Sequence, residues 1–251
     1  MKNVYIFDVD GTLTPSRESM DSSFKKWFKT WLRKGNKEVY FATGSDYPKT
    51  QEQVGNDLLD NIQAVFCCAG NAIYHKGHLK YSNKWTLKEP MVNWLNDQLR
   101  FSLFTGKTER HIENRIGLVN FSVVGRAANK EQRAKYVEYD RRTGERKKIA
   151  KLFNEKFGNL AIAQVAGETG IDIMEPGKDK GQIAQYFVEP HVHVYFFGDQ
   201  MESGGNDYPL ARALEANYIQ MKQSKATSVK VKSWKDTLNY LQKMENVNES
   251  K

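Results

Sequence analysis

Three short apolar runs, each closing on an acid or a hydroxyl, constrain the fold of this chain more than any other feature. Residues 3–8 (NVYIFD), 37–43 (KEVYFAT) and 194–199 (VYFFGD) share that design. A strand with one face in water alternates apolar and polar residues, whereas these runs read as parallel strands covered by helices on both faces. The intervening segments supply such helices. Phe24, Trp27, Phe28 and Trp31 recur at helical spacing, as do Trp234, Leu238 and Leu241 near the end, where Ser233 and Asp236 make a weak capping box. Strands alternating with helices at both ends predict an α/β layered core, with functional groups at the carboxyl ends of its strands.

The middle of the chain follows another pattern. A helix is expected over 89–101, then alternating strand-like runs at Leu118–Val124 and Gly170–Met174 with a charged helical segment between them. This mixture predicts an inserted α+β domain at 83–177, with 1–82 and 178–251 forming one core. The closing ENVNESK is expected to be disordered.

None of the 251 residues falls in an apolar stretch approaching the roughly 20 needed to span a bilayer. The chain runs from Met-Lys-Asn straight into a strand, without the apolar region of a secretory signal, so a cytoplasmic location is expected. Cys67 and Cys68 are neighbours, ill-placed to staple two parts of a fold, and are expected at the end of a buried strand. The formal charge of +8 would attract anions, from phosphate esters to nucleic acid. Many lysines, among them Lys25, Lys29, Lys147 and Lys151, fall in helical segments where a solvated face accounts for them. The aromatics of 24–31 could stack on nucleic-acid bases, but their helical spacing assigns them to a core face. Nucleic acid is therefore a disfavoured partner.

The strongest chemical signal is Asp8-Val9-Asp10-Gly11-Thr12, directly after the first run. Residues i and i+2 of an extended chain point the same way, so Asp8 and Asp10 should present their carboxylates together, and Gly11 permits a sharp turn close to a ligand. One carboxylate can attack phosphorus while the other shuttles the proton. A second acidic group follows the third run: Gly198-Asp199, then Gly204-Gly205-Asn206-Asp207. Carboxylates from two strand ends are the hard oxygen ligands Mg²⁺ requires, making Asp8 and Asp199 metal candidates. Asn206 and Asp207 could support those ligands from behind. Thr43 and Ser45 after the second run, and Lys180 at the start of an expected helix, are donor groups suited to a transferring phosphoryl group.

In their order, these elements resemble the four motifs of haloacid dehalogenase-type phosphatases and phosphotransferases. The resemblance implies a Rossmann-like core with an inserted α+β cap, an aspartyl-phosphate on Asp8 and acid/base work by Asp10. It also implies phosphate contacts from Thr43 or Ser45 and Lys180, and Mg²⁺ held by Asp8, Asp199 and the Asp10 carbonyl.

The stretches FDVDGTLTPSR, GSDYPKTQEQVGND, RIGLVNFSVVGRAANKEQR and FFGDQMESGGND narrow this further. They are similar to the eukaryotic-type phosphomannomutase family. In that family cap arginines hold the sugar phosphate distant from the metal, which implies that role for Arg115, Arg126 and Arg133. Arg17 is implied as a core contact to substrate and Asp172 as a contact to sugar hydroxyls. Guanidiniums grip phosphate in two-pronged fashion, and several converging on one surface are costly without an anion among them. Two departures bear on the sugar and the acceptor: Gly170 stands where the family has serine, and Cys68-Ala69-Gly70 replaces a Glu-Asn-Gly turn. The implied reaction interconverts mannose 6-phosphate and mannose 1-phosphate, with hexose 1,6-bisphosphate as activator. The alternatives are a sugar-phosphate phosphatase on the same scaffold and a protein that binds or processes nucleic-acid ends. The resemblance further implies a phosphorylated hexose as partner, no membrane, and a homodimer through the cap.

Overall fold

The computed structural model describes residues 2–35, 37–219 and 224–249. A seven-stranded sheet carries the core. Its first five strands in spatial order are β11 (Lys225–Lys230), β10 (Val192–Gly198), β1 (Lys2–Phe7), β2 (Lys37–Ala42) and β3 (Ala64–Cys67), all parallel; β4 (Ala72–His75) and β5 (His78–Ser82) then add antiparallel. The three apolar runs thus become adjacent central strands. Alternate residues feed opposite faces: Tyr5, Phe7, Val39 and Phe41 pack on one side, Ile6, Val194 and Phe196 on the other. The first side is covered by α1 (Ser22–Arg33), through buried Phe24, Phe28 and Trp31, and by α8 (Trp234–Glu249) through Leu241. The other is covered by α7 (Tyr208–Ile219) and by a 3₁₀ helix at Lys180–Tyr186. Two short helices, α2 (Tyr47–Val54) and α3 (Asn56–Leu59), join β2 to β3.

A second, antiparallel sheet has the order β6 (Ile112–Arg115), β7 (Leu118–Phe121), β9 (Gly170–Met174), β8 (Ile162–Ala166). One face packs Val119, Phe121, Ile171 and Ile173 against α4 (Glu89–Phe101), α5 (Lys130–Thr143) and α6 (Glu145–Phe157). Because side chains alternate, the other face presents one cross-strand row, Glu113–Asn120–Asp172–Gln164. These four polar residues in register mark the side turned toward the core.

Several local expectations need correction. The charged segment is two helices parted at Gly144, and the strand after Leu118 stops at Phe121. Asp236 accepts from the Lys232 N–H at 2.9 Å rather than completing a box with Ser233. The tail expected to be disordered continues α8 as far as Glu249. The aromatic stripe of α1 lies in the core, so no stacking platform stands there.

Candidate active site

β1 ends at Phe7, and the Asp8 N–H donates to the Phe197 carbonyl at 2.9 Å, which aligns the ends of β1 and β10. Asp8 is buried beyond the strand, and the chain then folds back through Gly11, whose N–H bonds the Thr14 carbonyl at 2.8 Å. Gly11 has φ +82°, and a Cβ there would stand 2.6 Å from Asp199 Oδ2. Only glycine lets this turn lie directly against the acid at the end of the neighbouring strand.

Carboxylate oxygens of Asp8, Asp199 and Asp207 lie within 4.8 Å of one another. Lys180 is fully buried between two of them, its Nζ 2.5 Å from Asp8 Oδ1 and 2.6 Å from Asp207 Oδ1. Burial would lower the Lys180 pKa, but the Asp207 and Asp8 carboxylates outweigh it and raise it. Burial pushes Asp8 well above the usual carboxylate range despite Lys180, and pushes Asp199 up to about 6. Three carboxylates, two of them buried, gathered at one ammonium leave excess negative charge, and the Asn206 side-chain oxygen is buried nearby in sequence with no partner among the described residues. Hard oxygen donors crowded in this way suit a divalent cation. Asp207, expected behind the ligands, brings an oxygen within 4.8 Å of the other two carboxylates and bonds Lys180.

A cation and protons compete for this ring. With folded pKa values raised above the unfolded ones, Asp8 and Asp199 favour the folded state at acid pH, and that contribution is lost as pH rises through about 6 for Asp199. Mg²⁺ at about 100 times its dissociation constant should raise Tm at pH 7.5 by about 5–10 °C. At pH 5 the shift should be much smaller. Differential scanning fluorimetry over that pH range checks this; equal shifts at both values would remove the ring as the binding site.

The sequence-derived residues fall into two groups across one cleft of about 1470 Å³. On the core side, Asp10 leaves the strand direction: Oδ1 accepts from the Arg17 N–H at 2.5 Å and from Gln53 Nε2 at 3.0 Å, while Ser45 Oγ donates to Oδ2 at 3.4 Å. Thr43 Oγ1 accepts from the Ser45 N–H at 3.0 Å. On the other side stand Arg115, Arg126, Arg133 and Asp172. Arg133 pairs with Glu168 at 2.9 Å, and Asp172 accepts from Asn120 Nδ2 at 2.7 Å. Burial raises the Asp172 pKa, against Arg115. A Cβ at Gly170 would come within 2.5 Å of Asn120 Nδ2, so Asn120 occupies the space a serine there would need.

Sequence reasoning missed two residues. Gln53, buried on α2, steadies Asp10, and nothing but its helical position signals that. Glu113 holds both Arg115 and Arg126; its place two residues before Arg115, on one face of a strand, was the available clue. Arg17 differs from Arg115, Arg126 and Arg133: its guanidinium makes no ion pair with a carboxylate among the described residues, and Glu113 acts on it only at longer range. Burial, then Arg126 and Arg133, lower its pKa to about 10.

A probable phosphomannomutase of Caenorhabditis elegans is 30% identical over 222 residues, covering 83% of this chain and 86% of that protein. The phosphomannomutase of Encephalitozoon cuniculi is 30% identical over 217 residues (83% and 84% covered). Among solved structures, the C-terminal domain of C. albicans trehalose-6-phosphate phosphatase superposes with a TM-score of 0.65 at 14% identity, covering 96% of this chain and 90% of that one. Plasmodium falciparum IMP-nucleotidase gives 0.57 at 15% identity, with 97% and 66% covered. At such identities these two show the fold alone, the haloacid dehalogenase-type architecture expected from the motifs. The sequence model described as eukaryotic phosphomannomutase matches residues 28–246, beginning after the Asp8 motif, and with that match across most of its length the chain belongs to the eukaryotic phosphomannomutase family.

Proposed function

We propose that this protein interconverts mannose 6-phosphate and mannose 1-phosphate through an aspartyl-phosphate on Asp8. The observation that carries the proposal is Arg17. Its half-buried guanidinium has no carboxylate at ion-pair distance among the described residues and is opposed by Arg126 and Arg133 across the cleft, an arrangement that an anion between them would favour.

In the first half-reaction an Asp8 oxygen attacks phosphorus, the ester P–O bond breaks, and Asp10 gives its proton to the leaving sugar oxygen. Arg17 N–H, Gln53 and Ser45 hold Asp10 for that transfer. In the second, Asp10 takes the proton of the other sugar hydroxyl as its oxygen attacks the phosphoryl group and releases Asp8. Thr43 shapes the phosphate loop, and Lys180 orients the Asp8 carboxylate. Mg²⁺, held by Asp8 and Asp199 with the Asp10 carbonyl and with Asp207 and Asn206 adjoining, would neutralise charge on the transferring phosphoryl group. Residues 83–177 act as a cap that carries the distal phosphate site, with Asp172 toward the sugar hydroxyls. A hexose 1,6-bisphosphate activator, a homodimer through the cap and a cytoplasmic setting complete the reading. Among the described residues no helix is long and apolar enough to cross a membrane.

A phosphatase would share the first half-reaction and admit water for the second. Incubating the protein with Mg²⁺, mannose 1-phosphate and a trace of hexose 1,6-bisphosphate, and following products by phosphorus NMR, decides between them. Mannose 6-phosphate with little free phosphate supports the mutase; free phosphate alone makes it a phosphatase. Arg126→Ala should reduce kcat/KM on the sugar phosphate by about 100-fold, some 3 kcal/mol, and hydrolysis of an aryl phosphate far less. Equal losses on both substrates would remove the distal phosphate site.

A further inference from the structure

Glu113 places one carboxylate on two arginines. Its Oε1 lies 2.7 Å from Arg115 Nε and 2.6 Å from Arg115 Nη2, and its Oε2 lies 2.9 Å from Arg126 Nε. Burial would raise the Glu113 pKa, but Arg115 and Arg126 outweigh it and hold the side chain ionised. Arg126 is left with Nη1 free of protein partners among the described residues, a donor available to an anion. Arg115 is used otherwise: its Nη1 donates to the Gly44 carbonyl at 2.8 Å, across the cleft, and the side chain is only 9% exposed. Gly44 lies between Thr43 and Ser45, and Asp172 Oδ2 stands 3.3 Å from where a Cβ on Gly44 would be. The cap therefore touches the core at the middle of the phosphate loop, and Glu113 aims the guanidinium that makes the contact.

We infer that Glu113 is a positioning residue with two effects: it presents Arg126 to the distal phosphate, and through Arg115 it fastens the cap onto the Thr43–Ser45 loop. Arg115 is then a latch more than a phosphate ligand. This inference rests on the sugar-phosphate reading above, but a binding measurement keeps the two separable. Glu113→Gln retains the shape, removes the charge and sets an amide N–H against the guanidiniums. We expect the dissociation constant of mannose 1-phosphate, measured by calorimetry on the Mg²⁺-loaded protein, to rise about 10-fold or more. In the NMR assay the share of turnovers ending as free phosphate should rise severalfold, because a loosened cap admits water. Glu113→Asp keeps the charge and should restore part of both. Arg115→Lys cannot grip Glu113 and Gly44 together, and should raise the free-phosphate share while weakening binding less than Glu113→Gln does. Should Glu113→Gln fail to fold, Glu113→Asp and Arg115→Lys carry the test. Unchanged binding and product ratio would overturn the inference, and so would tighter binding in Glu113→Gln, which would make the carboxylate a competitor of phosphate. If the wild type makes no isomer, the mutase reading fails, and the binding series still decides the role of Glu113 on its own.

Discussion

Asp8→Asn should abolish phosphoryl transfer, with kcat on sugar phosphates and aryl phosphates alike falling by about 10⁴-fold or more. The amide is nearly isosteric, so packing survives while the nucleophilic oxygen is lost. The fold should not suffer. Asp8 is the buried carboxylate whose pKa burial raises despite Lys180, and its charge is a burden on the metal-free protein at neutral pH. We therefore expect Asp8→Asn to match or exceed the wild type in Tm without metal, and to lose much of the Mg²⁺-induced rise. Retained turnover in a well-folded variant would sink the mechanism; collapse of the fold would show that the carboxylate is structural.

Lys180→Met has the largest expected effect on stability. Its ammonium lies between Asp8 and Asp207, and all three residues are buried. Removing one member of a buried ion cluster leaves the opposite charges uncompensated, at a cost of about 3–5 kcal/mol. Urea denaturation at pH 7 should show that loss. Buried carboxylates without a counter-ion bind protons more readily when folded than when unfolded, so their penalty grows with pH. The deficit should thus shrink toward pH 4, and Mg²⁺ should recover part of it at neutral pH. A deficit independent of both pH and Mg²⁺ would place the role of Lys180 in packing rather than charge.

Glu113 shows why the arginines were easier to read as types than as roles. Arg115, Arg126 and Arg133 all line the cleft. Yet one is held by Glu113 and a core carbonyl, one offers a free donor and one pairs with Glu168. Spacing along a strand tells which side a residue takes. It says nothing of the Gly44 carbonyl that Arg115 meets across the cleft or of the Glu168 that Arg133 meets 35 positions away.

The sequence by itself determined the parallel core, because NVYIFD, KEVYFAT and VYFFGD are apolar on both faces and can be buried only between helix layers. It also put Asp8 and Asp199 at the carboxyl ends of two such runs, and the pairing of those strands then brings both ends to one edge. Tertiary structure alone decided that Asp207 joins them and that Lys180 lies between Asp8 and Asp207. Lys180 is 172 positions from Asp8, and no local pattern encodes a contact over that separation. The polar row Glu113–Asn120–Asp172–Gln164 was hidden likewise, because it is assembled one residue at a time from four strands whose register only the folded sheet sets.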